Sequence, residues 1–339
     1  MQIFVAILVL NLAALTFGEH NRISRIEKME FAGWKECYKL NNSEAEIIVV
    51  PAIGRAVSFK KVNGPNVFRL YDQNAGKTRC ETDKFIQFGG LYTWLAPQNH
   101  WSLTPQQETA DLSFCPPFDA LPHSVTDVNT AKNSVTICYR DPLNYRLAME
   151  KTYSLPDKGA KLIYKVKVSN IGDAPVRWSI WNTAAVAPEG ILIFYAPNEL
   201  SDFQFFVRPD QSRAVYKNNL VFSNSYALIS LDKMQINGEK AYVKPGGSFL
   251  IQYTSGYWLV RQFQQPRPTD LFTDNYSQIE LWLDKKSGLV ETEIISPDIM
   301  LKPKGTYSWE ESFSILPSSG QYADLDEKLV NEALSKIKQ

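Results

Sequence analysis

The chain has 339 residues with 36 basic and 36 acidic side chains, and its zero formal net charge argues against general nucleic-acid binding, because no field gathers phosphate backbones. With 44% hydrophobic and 21% charged residues the composition is globular, not disordered. Three histidines, His20, His100 and His123, leave little room for a polyhistidine metal site, while 19 prolines, 17 glycines and 12% aromatic residues favour a turn-rich β protein.

Met1–Gly18 carries no charge, and Ile3–Phe17 is apolar except at Asn11 and Thr16. With small residues at Thr16 and Gly18, this stretch reads as a secretory signal peptide; at about 15 residues its apolar run is shorter than the ~20 of a spanning helix. Residues 19–339 are expected to form one soluble domain, extracellular or, in a bacterium, periplasmic, with no membrane association. Cys37, Cys80, Cys115 and Cys138 form no CxxC pair, so two disulfides are expected in a secreted chain. Three pairings are open. We favour Cys80–Cys115, closing a loop-rich segment, with Cys37–Cys138 joining two strand-like ones. Asn41-Asn42-Ser43 and Asn275-Tyr276-Ser277 are N-glycosylation sequons for a eukaryotic source.

Strand signals then dominate. Ala45–Pro51, Ser134–Tyr139, Lys161–Ser169, Val176–Trp181, Gly190–Tyr195 and Ser248–Tyr253 are rich in β-branched and aromatic residues, and turn formers bound most of them. In Lys161–Ser169, alternation sets Leu162, Tyr164, Val166 and Val168 on one face and lysines on the other. Strands at this spacing predict a sandwich or barrel. One helix is predicted, about 324–338, with Leu325, Leu329, Val330, Leu334 and Ile337 in a stripe that caps the sheet. No repeat or linker divides the chain.

Standard catalytic signatures are absent: there is no H-E-x-x-H, G-x-S-x-G or EF-hand loop. Gly76-Lys77-Thr78 looks like the tail of a P-loop, but Tyr71 stands at the upstream glycine position, so it reads as a surface turn. Two constellations remain. Gly89-Gly90 permits close backbone approach or unusual dihedrals, and Tyr92, Trp94, Gln98, Asn99, His100 and Trp101 follow it. Sugar rings need that mixture, since their C–H faces stack on aromatic rings and their hydroxyls need paired hydrogen bonds. Such tryptophans are also common core residues. In the segment Leu289–Pro297, Glu291 and Glu293 share one face of a strand, where adjacent carboxylates can raise a pKa into the range of a general base. Two exposed acids on a solvent face are the plainer reading.

The motifs Gly33-Trp34, Cys37–Asn42 and Val49-Val50-Pro51-Ala52-Ile53-Gly54-Arg55, then Gly89-Gly90, Trp94-Leu95-Ala96-Pro97-Gln98, Trp101 and Pro116-Pro117, stand in one order. Near the end come Glu291-Thr292-Glu293, Leu301-Lys302-Pro303-Lys304-Gly305-Thr306-Tyr307, Trp309 and Phe313. Together, from about Phe31 to Leu316, they resemble the galactose mutarotase-like superfamily, closest to its DUF4380 group. The resemblance implies an all-β, single-domain β-supersandwich of two large antiparallel sheets with a sugar-sized cleft on its concave face.

Galactose mutarotases use a glutamate as base and a histidine as acid. Glu291 is the closest match to that glutamate, and Glu293 is the alternative. The histidine is missing from Trp181-Asn182-Thr183-Ala184-Ala185, and His100 is the candidate substitute. Two functions are therefore expected. One is a secreted carbohydrate-binding protein that holds a mono- or oligosaccharide with Arg55, Trp94, Gln98, Trp101 and Glu291. The other is an aldose 1-epimerase with Glu291 as base. A lost acid removes roughly 10²–10⁴ in rate, which favours binding. Neither function calls for a metal or cofactor, and the sequence leaves the oligomeric state open. The same scaffold also occurs in polysaccharide lyases, an analogy of fold alone.

Overall fold

The structure, a computed structural model, describes residues 26–80, 85–101, 118–143, 145–206, 219–233, 237–254, 256–273, 275–284, 286–318 and 327–337. Its strands are β1 (Ile26–Phe31), β2 (Trp34–Asn41), β3 (Ala45–Val50), β4 (Arg55–Lys61), β5 (Leu91–Ala96), β6 (Ser124–Asn129) and β7 (Ser134–Asp141). Then come β8 (Leu147–Ser154), β9 (Lys161–Asn170), β10 (Val176–Val186), β11 (Ile191–Tyr195), β12 (Phe203–Phe206), β13 (Leu220–Ser223) and β14 (Tyr226–Ser230). The rest are β15 (Asn237–Val243), β16 (Phe249–Thr254), β17 (Tyr257–Phe263), β18 (Ile279–Asp284), β19 (Leu289–Ile295), β20 (Ile299–Leu301) and β21 (Thr306–Pro317), followed by helix α1 (Glu327–Ile337).

All pairings are antiparallel. The larger sheet has 11 strands, ordered β1-β2-β3-β4-β5-β10-β19-β18-β15-β12, with β20 beside β10; the smaller has 10, ordered β13-β14-β11-β16-β17-β21-β9-β8-β7-β6. This is the mostly β, two-sheet architecture that the resemblance implies, with the C-terminal helix that the apolar stripe predicts.

Period-two alternation decides which side chains fill the layer between the sheets. In β9, Leu162, Tyr164, Val166 and Val168 are buried there while Lys165 is exposed. In β19, Val290 and Ile294 join the same core, which leaves Glu291 and Glu293 on the opposite face of the larger sheet. On the outer face of the smaller sheet, α1 lays Leu329, Val330 and Ala333 onto Ile191, Ile193, Leu228, Ile251, Trp258 and Val260. β10 runs five residues past the predicted Trp181, through Val186, and every residue from Trp178 onward is buried. Covered on both faces, Asn182–Ala185 needs no alternation to stay in the sheet.

The expected Cys37–Cys138 disulfide is corrected: both are free thiols. Cys37 Sγ donates to Trp34 O at 3.2 Å and Cys138 Sγ to Tyr139 O at 3.5 Å. Cys37 packs with Trp34, Ile48 and Val50 on the outer side of the larger sheet, whereas Cys138 alternates with the core residues Val135 and Ile137 of the smaller one. The two thiols thus face away from each other across stacked sheets ~10 Å apart, too far for the ~4.4–6.8 Å Cα spacing of a disulfide. Cys115, the expected partner of Cys80, and the expected leader Met1–Gly18 lie outside the described residues. Of the two sequon asparagines, Asn275 is exposed and Asn41 closes β2. Among the described residues no helix is long and apolar enough to cross a membrane.

Candidate functional site

Residues opposite one another in an antiparallel ladder point to the same face. The registers of β5, β10, β19, β18 and β15 therefore line up three rows across the outer face of the larger sheet. The first is Trp94, Trp181 and Ile295. The second is Tyr92, Thr183, Glu293, Glu280 and Tyr242, and the third is Ala185, Glu291, Trp282 and Lys240.

The glycine pair gives β5 its place. Gly89 (φ +78°) and Gly90 (φ +81°) adopt left-handed backbone, and an added Cβ would stand 1.9 Å from Arg69 O at the first and 2.2 Å from Ala56 O at the second. Only glycine allows both the conformation and the approach.

Each glutamate has one anchored oxygen. Glu291 Oε1 accepts from Gln87 Nε2 at 2.9 Å and from the Tyr92 hydroxyl. Glu293 Oε2 accepts from Trp181 Nε1 at 2.6 Å and Lys240 Nζ at 3.0 Å. Lys240 also pairs with Glu280 at 2.6 Å, and Ser277 Oγ donates to Glu280 Oε1 at 2.6 Å. Glu291 Oε2 and Glu293 Oε1 accept no hydrogen bond from the described residues, and neither is among the unpaired atoms sealed from solvent. Burial pushes both carboxyls above the usual carboxylate range. At Glu293 the Lys240 ammonium opposes this, and the charges of Glu280 and Glu291 reinforce it. Such a pair titrates as a unit.

The aromatic cluster stands beside the carboxylates. Trp94 is half-buried, and its ring meets Trp101 and Trp181 edge-on at 5.1 Å each and Tyr92 at 5.4 Å. Trp101 is buried, with Nε1 donating to Leu95 O at 2.7 Å. Gln98 is partly exposed on the short turn Gln98–His100.

Two residues stand elsewhere than sequence reasoning expects. Arg55 is 0% exposed, and its nitrogens bond to Ile53 O, Gly89 O and Asp119 Oδ1 at 3.3, 3.0 and 2.7 Å. Its guanidinium lies 4.3 Å from the Tyr92 ring, and Asp119 Oδ1 also accepts from Trp94 Nε1 at 2.8 Å. Arg55 therefore props Tyr92 and Trp94 from within. His100 packs against Trp178, 5.7 Å away. Trp178 is seven residues along β10 from Ala185, the partner of Glu291, or roughly 23 Å at ~3.3 Å per residue, so His100 and Glu291 are not brought together.

Trp181, Lys240, Glu280, Trp282 and Gln87 were missed by the sequence reading. A signal was present for two of them: Glu280 and Trp282 alternate with Ile279, Leu281 and Leu283, the period-two pattern of a strand with one polar face.

A family model described as a domain of unknown function, DUF4380, matches residues 36–316. The chain belongs to the DUF4380 family. Among solved structures, this DUF4380 protein is similar to the Slr1438 protein of Synechocystis sp. PCC 6803, with 11% identity and a TM-score of 0.58 over 86% of this chain and 100% of that one. A galactose mutarotase-like protein of Lactobacillus casei ATCC 334 matches with 10% identity and a TM-score of 0.56, covering 82% and 99% of the two chains. Another from Clostridium acetobutylicum matches with 14% identity and a TM-score of 0.54, covering 86% and 98%. At such identities the shared property is the galactose mutarotase-like fold. No curated protein matches the sequence.

Proposed function

We propose that this DUF4380 protein is an exported carbohydrate-binding protein that holds a mono- or oligosaccharide on the outer face of its larger sheet. The observation that carries the reading is the half-anchored state of Glu291 and Glu293. Each has one oxygen fixed by two donors and the other without a partner among the described residues, beside the half-buried Trp94. Fixed acceptors next to an aromatic plane suit a ring that presents hydroxyls at its edge and C–H groups on its face. In this reading Trp94, Glu291 and Glu293 contact the sugar, Gln98 lies at the rim, and Arg55 and Trp101 hold the contact residues in place. The leader Met1–Gly18 would direct export.

A second reading, aldose 1-epimerase, draws on the same pair. Glu291 would take the proton of the anomeric hydroxyl while protonated Glu293 gives one to the ring oxygen. The C1–O5 bond then breaks to the open-chain aldehyde, and reclosure on either face returns both protons. Polarimetry on freshly dissolved α-glucose and α-galactose tests this; a rate no faster than buffer sinks the epimerase reading. Binding is tested by tryptophan fluorescence against a sugar panel. Trp94→Ala is expected to weaken affinity by about tenfold or more, as loss of an aromatic contact of ~1.4 kcal/mol would. An unchanged affinity would remove Trp94 from the site.

A further inference from the structure

The charges on this face do not balance. Glu280, Glu291 and Glu293 are all buried. Arg55 is spent on Asp119. Lys240 is divided between Glu280 at 2.6 Å and Glu293 at 3.0 Å. Glu291 is bonded to neutral donors, the Tyr92 hydroxyl and the Gln87 amide. A buried group of carboxylates that outnumbers its cations must take up protons or a cation from outside. Burial displaces both carboxyls upward, and at Glu293 the charges of Glu280 and Glu291 add to it.

Two further observations point to a ligand and to its chemistry. Thr183 lies in the row between Tyr92 and Glu293 with 0% exposure, and its Oγ1 has no hydrogen-bond partner. Buried hydroxyls in native proteins are nearly always paired, so this covered but unpaired one, on the same face as Glu293, is left to bond a ligand group that displaces what covers it. Lys240 shows what the face accommodates: its ammonium lies 4.3 Å from the Trp181 ring and 5.6 Å from the Tyr242 ring, between carboxylates. Aromatic faces and carboxylates together make a box for a primary ammonium.

Resting on the carbohydrate reading, we propose that the ligand is an amino sugar, with its ammonium between Glu291 Oε2 and Glu293 Oε1 and a hydroxyl at Thr183. The spacing fits. Side chains two residues apart on one strand rise about 6.6 Å from each other, and two acceptors at about 2.8 Å from one tetrahedral ammonium stand about 4.6 Å apart, a span that the carboxyl ends close by leaning together. Uronic acids and sugar phosphates would bring negative charge onto the surplus carboxylates, and N-acetylation would remove the cation.

The test uses the full chain, with tryptophan fluorescence and calorimetry run in parallel because a bound sugar need not alter the fluorescence. Glucosamine, galactosamine and mannosamine are each titrated against the parent hexose and the N-acetyl derivative, with glucuronate as the anionic control. At least one amine is expected to bind about tenfold tighter than its parent, the N-acetyl form to lose that gain, and glucuronate to bind weakest. Glu291→Gln should bring the amine-to-parent ratio close to one; the ranking in the unsubstituted protein stands by itself if that variant does not fold. Equal affinity for amine and parent, or a preference for glucuronate, overturns the amino-sugar inference and leaves carbohydrate binding standing. Failure of every sugar to bind overturns both.

Discussion

Asp119 takes two donors on one oxygen, Arg55 Nη2 and Trp94 Nε1, and so couples a buried cation to the aromatic cluster. Arg55→Met would strip that buried carboxylate of its ion-pair partner at 2.7 Å, a loss of about 3–5 kcal/mol. Urea denaturation measures it, and adding Asp119→Asn should recover part of the loss. A cost below about 1 kcal/mol would mean that solvent reaches the pair and screens it. At this scale the sequence was partly legible. Glu291, Glu293 and Trp94 stand out because alternation within one strand fixes which face each occupies. The role of Arg55 was not legible, because Asp119 lies 64 positions away and no local pattern joins them.

Elements carry a pH dependence of their own. Lys151 on β8 reaches across to the turn before β4, where its ammonium donates to Gly54 O at 2.9 Å. Burial lowers its pKa to about 7, with the Arg55 charge assisting and Asp119 opposing, and the neighbouring His123 is held neutral by its own burial. The unfolded chain keeps that proton up to the ordinary lysine pKa of 10.5, whereas the folded one sheds it above about 7. Between those limits the unfolded state binds more protons, so the Lys151 contribution to stability rises with pH, by at most about 1.4 kcal/mol per unit. Melting curves of the protein and of Lys151→Met should therefore diverge across this window, with the native protein gaining on the variant as pH increases. Parallel curves would show the amine to be solvated. The elements themselves were largely legible: β9 follows from alternation, β3, β7, β11 and β16 from β-branched and aromatic residues between turn formers, and α1 from an apolar stripe. The second half of β10 was not, because a strand enclosed on both faces need not alternate.

Across the whole molecule the two sheets are tied by a polar cross-link directly behind the glutamates. Arg261 of β17 pairs with Glu311 at 2.7 Å and donates to Thr292 O at 2.6 Å and Asn182 O at 2.9 Å. Thr292 stands between Glu291 and Glu293, so the smaller sheet braces the strand that carries them. Arg261→Met is expected to cost about 3–5 kcal/mol and to weaken sugar affinity together with stability. Denaturation and a sugar titration on one preparation check both; unchanged affinity in a destabilised variant would confine Arg261 to a structural role. The sequence by itself determined the β architecture, its covering helix and the shared face of Glu291 and Glu293, because these depend on residues a few positions apart. Tertiary structure alone decided what surrounds that face. Trp181 and Lys240 reach Glu293 from 112 and 53 positions away, carried there by strand order and register. Pairing between distant strands follows from the closing of both sheets over one core, and no local period encodes it. The opening charge count carries the same lesson: 36 acids and 36 bases cancel over the chain, but folding gathers three buried glutamates around one lysine.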